Sequence, residues 1–380
     1  MLGDAEALVA LKTYTAAVDS LQKFLQNTPG ASTAPNFYFK IAEIYRENIG
    51  DTAAAIASYE KVLKFSDTHL FSVAGYQVGL LYGKRGEDEK AVGAFEKVKK
   101  DDAQYFRAAQ GEIGSIKAKT DPEVAILNYE KIEASSDDLE SKTIARMGIG
   151  DIYTAQKNYV KAVESYQKIY EEYRNGDKDL RAACLIKIAD VLNSAQKFDD
   201  IIVWTNRMIS EFPAHKYTIN AFYFKANAYY FLKKYKEARE TFLTVISLDS
   251  SALGPVAMYQ RAECLLSMGS QDQAVAEFQQ FMKRYPKSDM VANAMFQIAN
   301  LDWGKEKYPS AKTVYLRILS EYPDFSAVCW VKNYLAFCYD KEGSWRKAKE
   351  IYDQVRSGGG CDKDAKQFAK KQAEALNVKH

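Results

Sequence analysis

The chain has 380 residues, of which 47 % are hydrophobic and 13 % aromatic, and its 52 basic residues nearly balance its 50 acidic ones. A protein that binds nucleic acid without sequence preference needs a clearly basic surface, so a net charge of +2 argues against that class. No run of about 18 apolar residues occurs, so the sequence predicts no membrane-spanning helix.

One pattern returns about every 37 residues: an alanine, an aromatic residue or leucine four residues later, and an apolar residue three residues after that. The clearest copies are Ala91/Phe95/Val98, Ala162/Tyr166/Ile169, Ala238/Phe242/Val245, Ala274/Phe278/Phe281, Ala311/Tyr315/Ile318 and Ala348/Tyr352/Val355. The weaker copies are Ala17/Leu21/Phe24, Ala55/Tyr59/Val62, Ala125/Tyr129/Ile132 and Ile201/Thr205/Met208. This spacing places the three residues on one helix face, and the repetition predicts a stack of about ten helical hairpins.

A small residue recurs in the first helix of most hairpins, where we expect the two helices to cross. Helices approach closely only where one lacks a bulky side chain, so the aromatic residue of the second helix should fill the space beside the crossing. The small residues are Ala42, Gly79, Gly150, Ala189, Ala226, Ala262, Ala299 and Ala336. Proline cannot continue a helix, so three aromatic-proline pairs are predicted to end second helices. They are Phe212-Pro213, Tyr285-Pro286 and Tyr322-Pro323.

The longest interval between copies runs from Ala162 to Ile201 and contains the polar segment 174–179. We predict an N-terminal arm at 1–174 and a C-terminal arm at 180–357, each with about five repeats. The segment between them is either a bend or a slightly longer turn within one rigid superhelix.

The end of the chain predicts a capping helix at residues 361–380. An open stack exposes the apolar face of its last unit, and Ala365, Phe368, Ala369 and Leu376 form a stripe that would cover it. A tail that binds a partner is the alternative.

The five cysteines predict neither a disulfide framework nor a zinc site, because their number is odd and no CxxC spacing occurs. Cys329 and Cys338 are expected to share a helix, too far apart to bridge. We expect small buried thiols, except for an exposed Cys361 after the glycines at 358–360.

The small residue of the first helix, the alanine and aromatic residue of the second helix and the proline after it resemble the tetratricopeptide repeat (TPR) family, from about residue 2 to 357. The chain differs in lacking the usual first-helix tryptophan and in exceeding the typical period of about 34 residues. The resemblance implies an all-α, right-handed α-α superhelix (solenoid) and a non-catalytic protein-interaction scaffold. The turn Tyr285-Pro286-Lys287-Ser288 is similar to turns of bacterial envelope members, such as an outer-membrane-assembly lipoprotein and a Tol-Pal-associated protein. It favours the periplasm or cell envelope, whereas five unpaired cysteines favour the cytoplasm.

No residues are arranged for catalysis, a cofactor or a metal. His69, His215 and His380 lack a second ligand at metal-binding spacing, and the phosphate-binding and nucleophile motifs are absent. We therefore expect no enzyme activity, no cofactor and no metal.

The resemblance also implies that three positions of each first helix line a concave groove. There the predicted partner-binding residues are Tyr223, Asn227, Tyr230, Tyr259, Glu263, Phe296, Asn300, Trp303 and Asn333. Aromatic side chains give a large contact area at low entropic cost, and amides can bond a peptide backbone. The predicted partner is a neutral or basic peptide or helical segment of a protein. In the alternatives, these aromatics only pack between first helices, or the protein acts by self-association as a homo-oligomer.

Overall fold

The computed structural model describes residues 2–28, 31–135, 139–173, 177–249 and 251–379. Within these ranges the chain forms 21 α-helices and no β-strand, which confirms the all-α class. The chain divides into two compact units, residues 1–176 and 177–380. The predicted bend at 174–179 falls partly on residues 174–176, which lie outside the described residues.

The helices of the first unit form five hairpins. They are α1 (Leu2–Ala10), α2 (Tyr14–Asn27), α3 (Ala34–Glu43), α4 (Thr52–Val62), α5 (Phe71–Lys84), α6 (Asp88–Phe95), α7 (Ala103–Thr120), α8 (Pro122–Ser135), α9 (Leu139–Ala155) and α10 (Tyr159–Glu172). A π-helical turn, Ile44–Ile49, extends α3 before α4 begins.

The second unit contains five further hairpins and one final helix. They are α11 (Lys178–Ser194), α12 (Phe198–Glu211), α13 (Thr218–Phe231), α14 (Tyr235–Leu248), α15 (Leu253–Ser267), α16 (Gln271–Arg284), α17 (Val291–Gly304), α18 (Tyr308–Glu321), α19 (Val328–Lys341), α20 (Trp345–Ser357) and α21 (Lys363–Lys379). The second helices α12, α16 and α18 end immediately before the predicted aromatic-proline pairs.

The repeat pattern forms the core. The alanine of each copy, or Ile201 in its place, has no exposed surface, and the residue four positions on is also buried. The aromatic ring lies directly over the small first-helix residue, as predicted. A Cβ added to Gly79 would come within 2.4 Å of the Phe95 ring, and one added to Gly150 within 2.7 Å of the Tyr166 ring. The absence of a side chain at these positions therefore sets the distance between the two helices.

Nine of the ten hairpin turns contain one residue with positive φ. These residues are Lys12, Gly50, Gly86, Lys157, Gln196, Lys233, Gly269, Glu306 and Gly343. At Lys157 the next backbone N–H, from Asn158, donates to the carbonyl of Tyr153 over 2.8 Å. This bond closes a left-handed helix end that satisfies a carbonyl left over by the first helix. The fourth hairpin differs, because a single residue, Asp121, separates the end of α7 from Pro122, which begins α8.

The prediction that the cysteines form no disulfide is wrong for one pair. Cys329, near the start of α19, is bonded to Cys361, and their Cα atoms are 5.6 Å apart. Cys361 is accordingly half-buried and bonded rather than an exposed thiol. The contact arises because α21 folds back against α19 and α20, a tertiary arrangement that cysteine spacing does not encode. Cys184, Cys264 and Cys338 are free and buried, as expected.

Candidate protein-binding surface

Consecutive first helices of the second unit contact one another: α11 with α13, α13 with α15, and α17 with α19. Eight of the nine predicted partner-binding side chains are partly exposed on this row of first helices. We call these eight residues the first-helix face: Tyr223, Asn227, Tyr230, Tyr259, Glu263, Phe296, Asn300 and Trp303.

The polar residues of the first-helix face bond to neighbouring helices. Gln260 on α15 donates its side-chain amide to Asn227 on α13 over 2.9 Å. Gln297 on α17 donates in the same way to the carboxylate of Glu263 on α15, also over 2.9 Å. These two bonds connect consecutive repeats and hold their first helices side by side.

A third bond lies within one hairpin, where the Tyr315 hydroxyl on α18 donates to Asn300 on α17 over 2.8 Å. Tyr315 is fully buried, so the bond supplies its hydroxyl with an acceptor. All three predicted polar residues of the first-helix face therefore have structural partners.

The aromatic residues of the first-helix face pack with one side against the core. The Tyr223 ring meets Phe242 at 6.3 Å and the Tyr259 ring meets Phe278 at 5.3 Å, in edge-on or tilted geometry. Each ring rests on the repeat-pattern aromatic of its own hairpin and keeps part of its surface exposed. Such support fixes the ring orientation before any ligand arrives, which limits the entropic cost of binding.

Further along the face, aromatic packing crosses from one repeat to the next. The Trp303 ring lies 5.1 Å from Tyr334 and 5.2 Å from Phe337, both on α19. Phe296 lies 6.1 Å from Tyr334. The alternative prediction, packing between neighbouring first helices, thus describes Phe296 and Trp303, and both are still partly exposed.

Tyr259 and Glu263 are coupled electrostatically. Burial, followed by the nearby Glu263 carboxylate, raises the pKa of the Tyr259 hydroxyl well above its usual range. The tyrosine therefore stays protonated at neutral pH, and Glu263 contributes a negative charge to the middle of the face.

The prediction that Asn333 lines the groove is wrong. Asn333 has no exposed surface, and its amide donates to the Ala365 carbonyl of α21 over 2.9 Å. The capping helix covers this position of the last first helix, so the face ends at Trp303. The apolar stripe of α21 was visible in the sequence and could have indicated the conflict.

Three contributors to the site were missed: Gln260, Gln297 and Tyr334. The two glutamines occupy equivalent positions, 33 and 34 residues after their partners. That separation is close to one repeat, so a search for polar pairs about one period apart would have found both.

The described part of the chain contains no group of three or more histidine, cysteine or acidic residues that could hold a metal ion. None of its described helices is both long and apolar enough to cross a bilayer.

Comparison with known proteins identifies the repeats. Models of the tetratricopeptide repeat match residues 35–69, 118–177, 219–251 and 256–288. No curated protein sequence matches the chain.

Solved structures that are similar include a tetratricopeptide repeat protein from Parabacteroides merdae ATCC 43184. It is 15 % identical, with 78 % of this chain and 96 % of that chain covered and a TM-score of 0.39. The TPR domain of P58(IPK) is 17 % identical, with 100 % and 97 % covered and a TM-score of 0.29. The repeated pattern, the ten helical hairpins and the four matched segments identify this chain as a member of the tetratricopeptide repeat family.

Proposed function

We propose that the protein is a non-catalytic scaffold that binds a peptide or helical segment of a partner protein in a groove lined by the first-helix face. The observation that carries the proposal is a run of five partly exposed aromatic rings on three consecutive first helices, each packed on one side against the core. Tetratricopeptide repeats generally mediate protein–protein interactions, so the fold agrees with this role.

The rings are suited to an interface. Tyrosine and tryptophan are the residues that most often dominate binding energy, because they bury much surface with few rotatable bonds. Polar side chains without partners could add hydrogen bonds to a ligand, but the three polar residues of the first-helix face already have partners within the fold. They are Asn227, Glu263 and Asn300. We therefore assign most of the affinity to the aromatic rings.

The charge of Glu263 sets the preferred partner. Its carboxylate lies beside Tyr259 in the middle of the face, where it would attract a basic segment, tolerate a neutral one and disfavour an acidic one. A segment with one lysine or arginine near Glu263 and apolar residues on either side fits this arrangement best.

The bacterial cell envelope is the proposed location. A disulfide between Cys329 and Cys361 fits an oxidising compartment, and the Tyr285-Pro286 turn is similar to those of envelope members of the family. The three free cysteines do not oppose this location. Burial raises the pKa of Cys184, Cys264 and Cys338 to about 12, which keeps these thiols protonated and unreactive.

Site-specific photo-crosslinking in cells tests the surface directly. A photoreactive phenylalanine at Tyr230 or Tyr259 should capture a partner protein. The same residue at Leu243 or Leu316, exposed on second helices, should not. Equal capture from both sets would remove the first-helix face from the function. A crosslinked product consisting of two copies of this chain would favour the alternative, self-association.

Binding of the captured partner then tests the energetics. A Tyr223→Ala/Tyr259→Ala variant should bind at least roughly thirtyfold more weakly, since even one buried aromatic anchor is worth about 2 kcal/mol or more. Leu243→Ala is the matched control, and the melting temperatures of all variants verify folding. Affinity within about twofold of the wild type would contradict the proposal.

A further inference from the structure

Helix α21 covers the end of the last hairpin, which would otherwise be exposed. Its buried residues are Ala365, Ala369, Ala373 and Leu376. Phe368 lies 5.8 Å from the Trp330 ring and 6.2 Å from the Tyr334 ring, both on α19. Three of the four buried residues are alanines, so the area that α21 buries is modest for a helix of 17 residues.

Two covalent connections hold α21 in place. One is the chain itself, through the three glycines at 358–360, which give the linker wide conformational freedom. The other is the disulfide from Cys361, two residues before α21 begins, to Cys329 near the start of α19. The disulfide bypasses the glycine linker and fixes the chain two residues before α21 directly to α19, the helix that α21 covers.

We propose that the Cys329–Cys361 disulfide is a redox-controlled clamp, which holds α21 over the last hairpin when oxidised and releases it when reduced. The inference goes beyond the proposed function and does not depend on it, because it concerns a contact within the chain. Without the disulfide, α21 is held by the glycine linker, by a small apolar contact and by the hydrogen bonds from Asn333 to Ala365 and from Lys349 to Asn377, and the helix opens more often.

The accessible sulfur determines how reduction proceeds. Cys361 is half-buried whereas Cys329 is 8 % exposed, so a thiolate from a dithiol reductant attacks the Cys361 sulfur and Cys329 leaves as a thiolate. The second thiol of the reductant then attacks the mixed disulfide and releases Cys361. Two electrons and two protons pass to the cysteines, and the reductant becomes a disulfide.

Release uncovers a defined surface. Asn333, buried under α21, and the faces of Trp330 and Tyr334 that meet Phe368 become exposed. Tyr334 already contacts Trp303, so the newly exposed residues are continuous with the first-helix face. The clamp thus controls whether that face ends at the ninth repeat or extends over the tenth.

The test compares oxidised and reduced full-length protein. In the denatured oxidised chain, thiol titration should find three free thiols, and after reduction it should find five. Native hydrogen exchange should then show opening of α21 that is roughly tenfold more frequent after reduction with dithiothreitol, while exchange in α17 and α18 changes by less than about twofold. Trypsin should cleave α21 at Lys366 and Lys370 correspondingly faster.

Two variants give the controls. Cys361→Ser should exchange like the reduced wild type whether or not the reductant is present. Cys338→Ser, which removes a buried free thiol from the same helix α19, should respond to the reductant as the wild type does. Equal α21 exchange in oxidised and reduced wild type would overturn the proposal, and so would a reductant effect that persists in Cys361→Ser.

Discussion

Adding one methyl group at Gly79 tests how the repeats are packed. An alanine Cβ there would lie 2.4 to 2.7 Å from three carbons of the Phe95 ring, whereas carbon atoms in contact prefer about 3.5 to 4.0 Å. Phe95 is 1 % exposed and its ring is packed against Tyr76 at 5.6 Å, so it has little room to move away. The two helices of the third hairpin must therefore separate by roughly 1 Å.

The matched control is Gly93→Ala in the second helix of the same hairpin. A Cβ at Gly93 would have no neighbouring atom within 4 Å. Both substitutions replace glycine by alanine inside a helix, which favours folding by about 1 kcal/mol. Overpacking costs about 1–3 kcal/mol and applies to Gly79→Ala only. We expect Gly93→Ala to stabilise the protein, and Gly79→Ala to be less stable than Gly93→Ala by about 1–3 kcal/mol.

Hydrogen exchange in α5 and α6 is the preferred assay, because a repeat array opens locally and a single melting temperature averages over many units. The amides of these two helices should exchange faster in Gly79→Ala and slower in Gly93→Ala than in the wild type. Equal effects of the two substitutions would show that the ring is not held against Gly79, and would refute the packing argument.

Three further predictions concern single contacts. Lys157→Gly should raise the free energy of unfolding by about 0.5–1 kcal/mol, because Lys157 has φ 60° and glycine adopts that conformation more easily; a drop in melting temperature would contradict this. Tyr315→Phe should cost about 1 kcal/mol by removing the donor to Asn300, seen as faster exchange in α17 and α18 but not in α13. The backbone N–H of Leu253, together with Ser251, lowers the pKa of Asp249 to about 2, below the unfolded value of about 3.9. The stability that this carboxylate contributes is therefore present above about pH 4 and is lost between about pH 4 and 2. Over that range the melting temperature of the wild type should fall further than that of Asp249→Asn.

The helical architecture could be predicted because it depends on contacts that recur at a fixed sequence distance. Ala91 and Phe95 must lie on one face of any helix that contains them, and Gly79 is the small residue that such a ring requires. The same pair of constraints holds in most repeats, so a weak local pattern becomes reliable by repetition. The eight partly exposed residues of the first-helix face follow from the same register.

The errors occurred where the repetition ends. Asn333 was assigned because it occupies the position of Phe296, one repeat earlier, but the last hairpin has α21 as its neighbour instead of another repeat. The Cys329–Cys361 disulfide has the same origin, because it forms only where α21 folds back. A contact that occurs once per molecule produces no repeating sequence pattern, so only the structure shows which residues make it.

The polar and the aromatic residues of the first-helix face have different roles, although the sequence predicted that both kinds bind the partner. Gln260 and Gln297 each bond across to the preceding repeat, so the Asn227 amide and the Glu263 carboxylate, which looked available to a ligand, instead set the spacing between first helices. That spacing determines the distance between the tyrosine rings of consecutive repeats. A bound segment would therefore be recognised mainly by ring positions that the polar residues maintain. On this view, substitution of a glutamine would weaken binding by moving the rings, and substitution of a ring would weaken it by removing contact area.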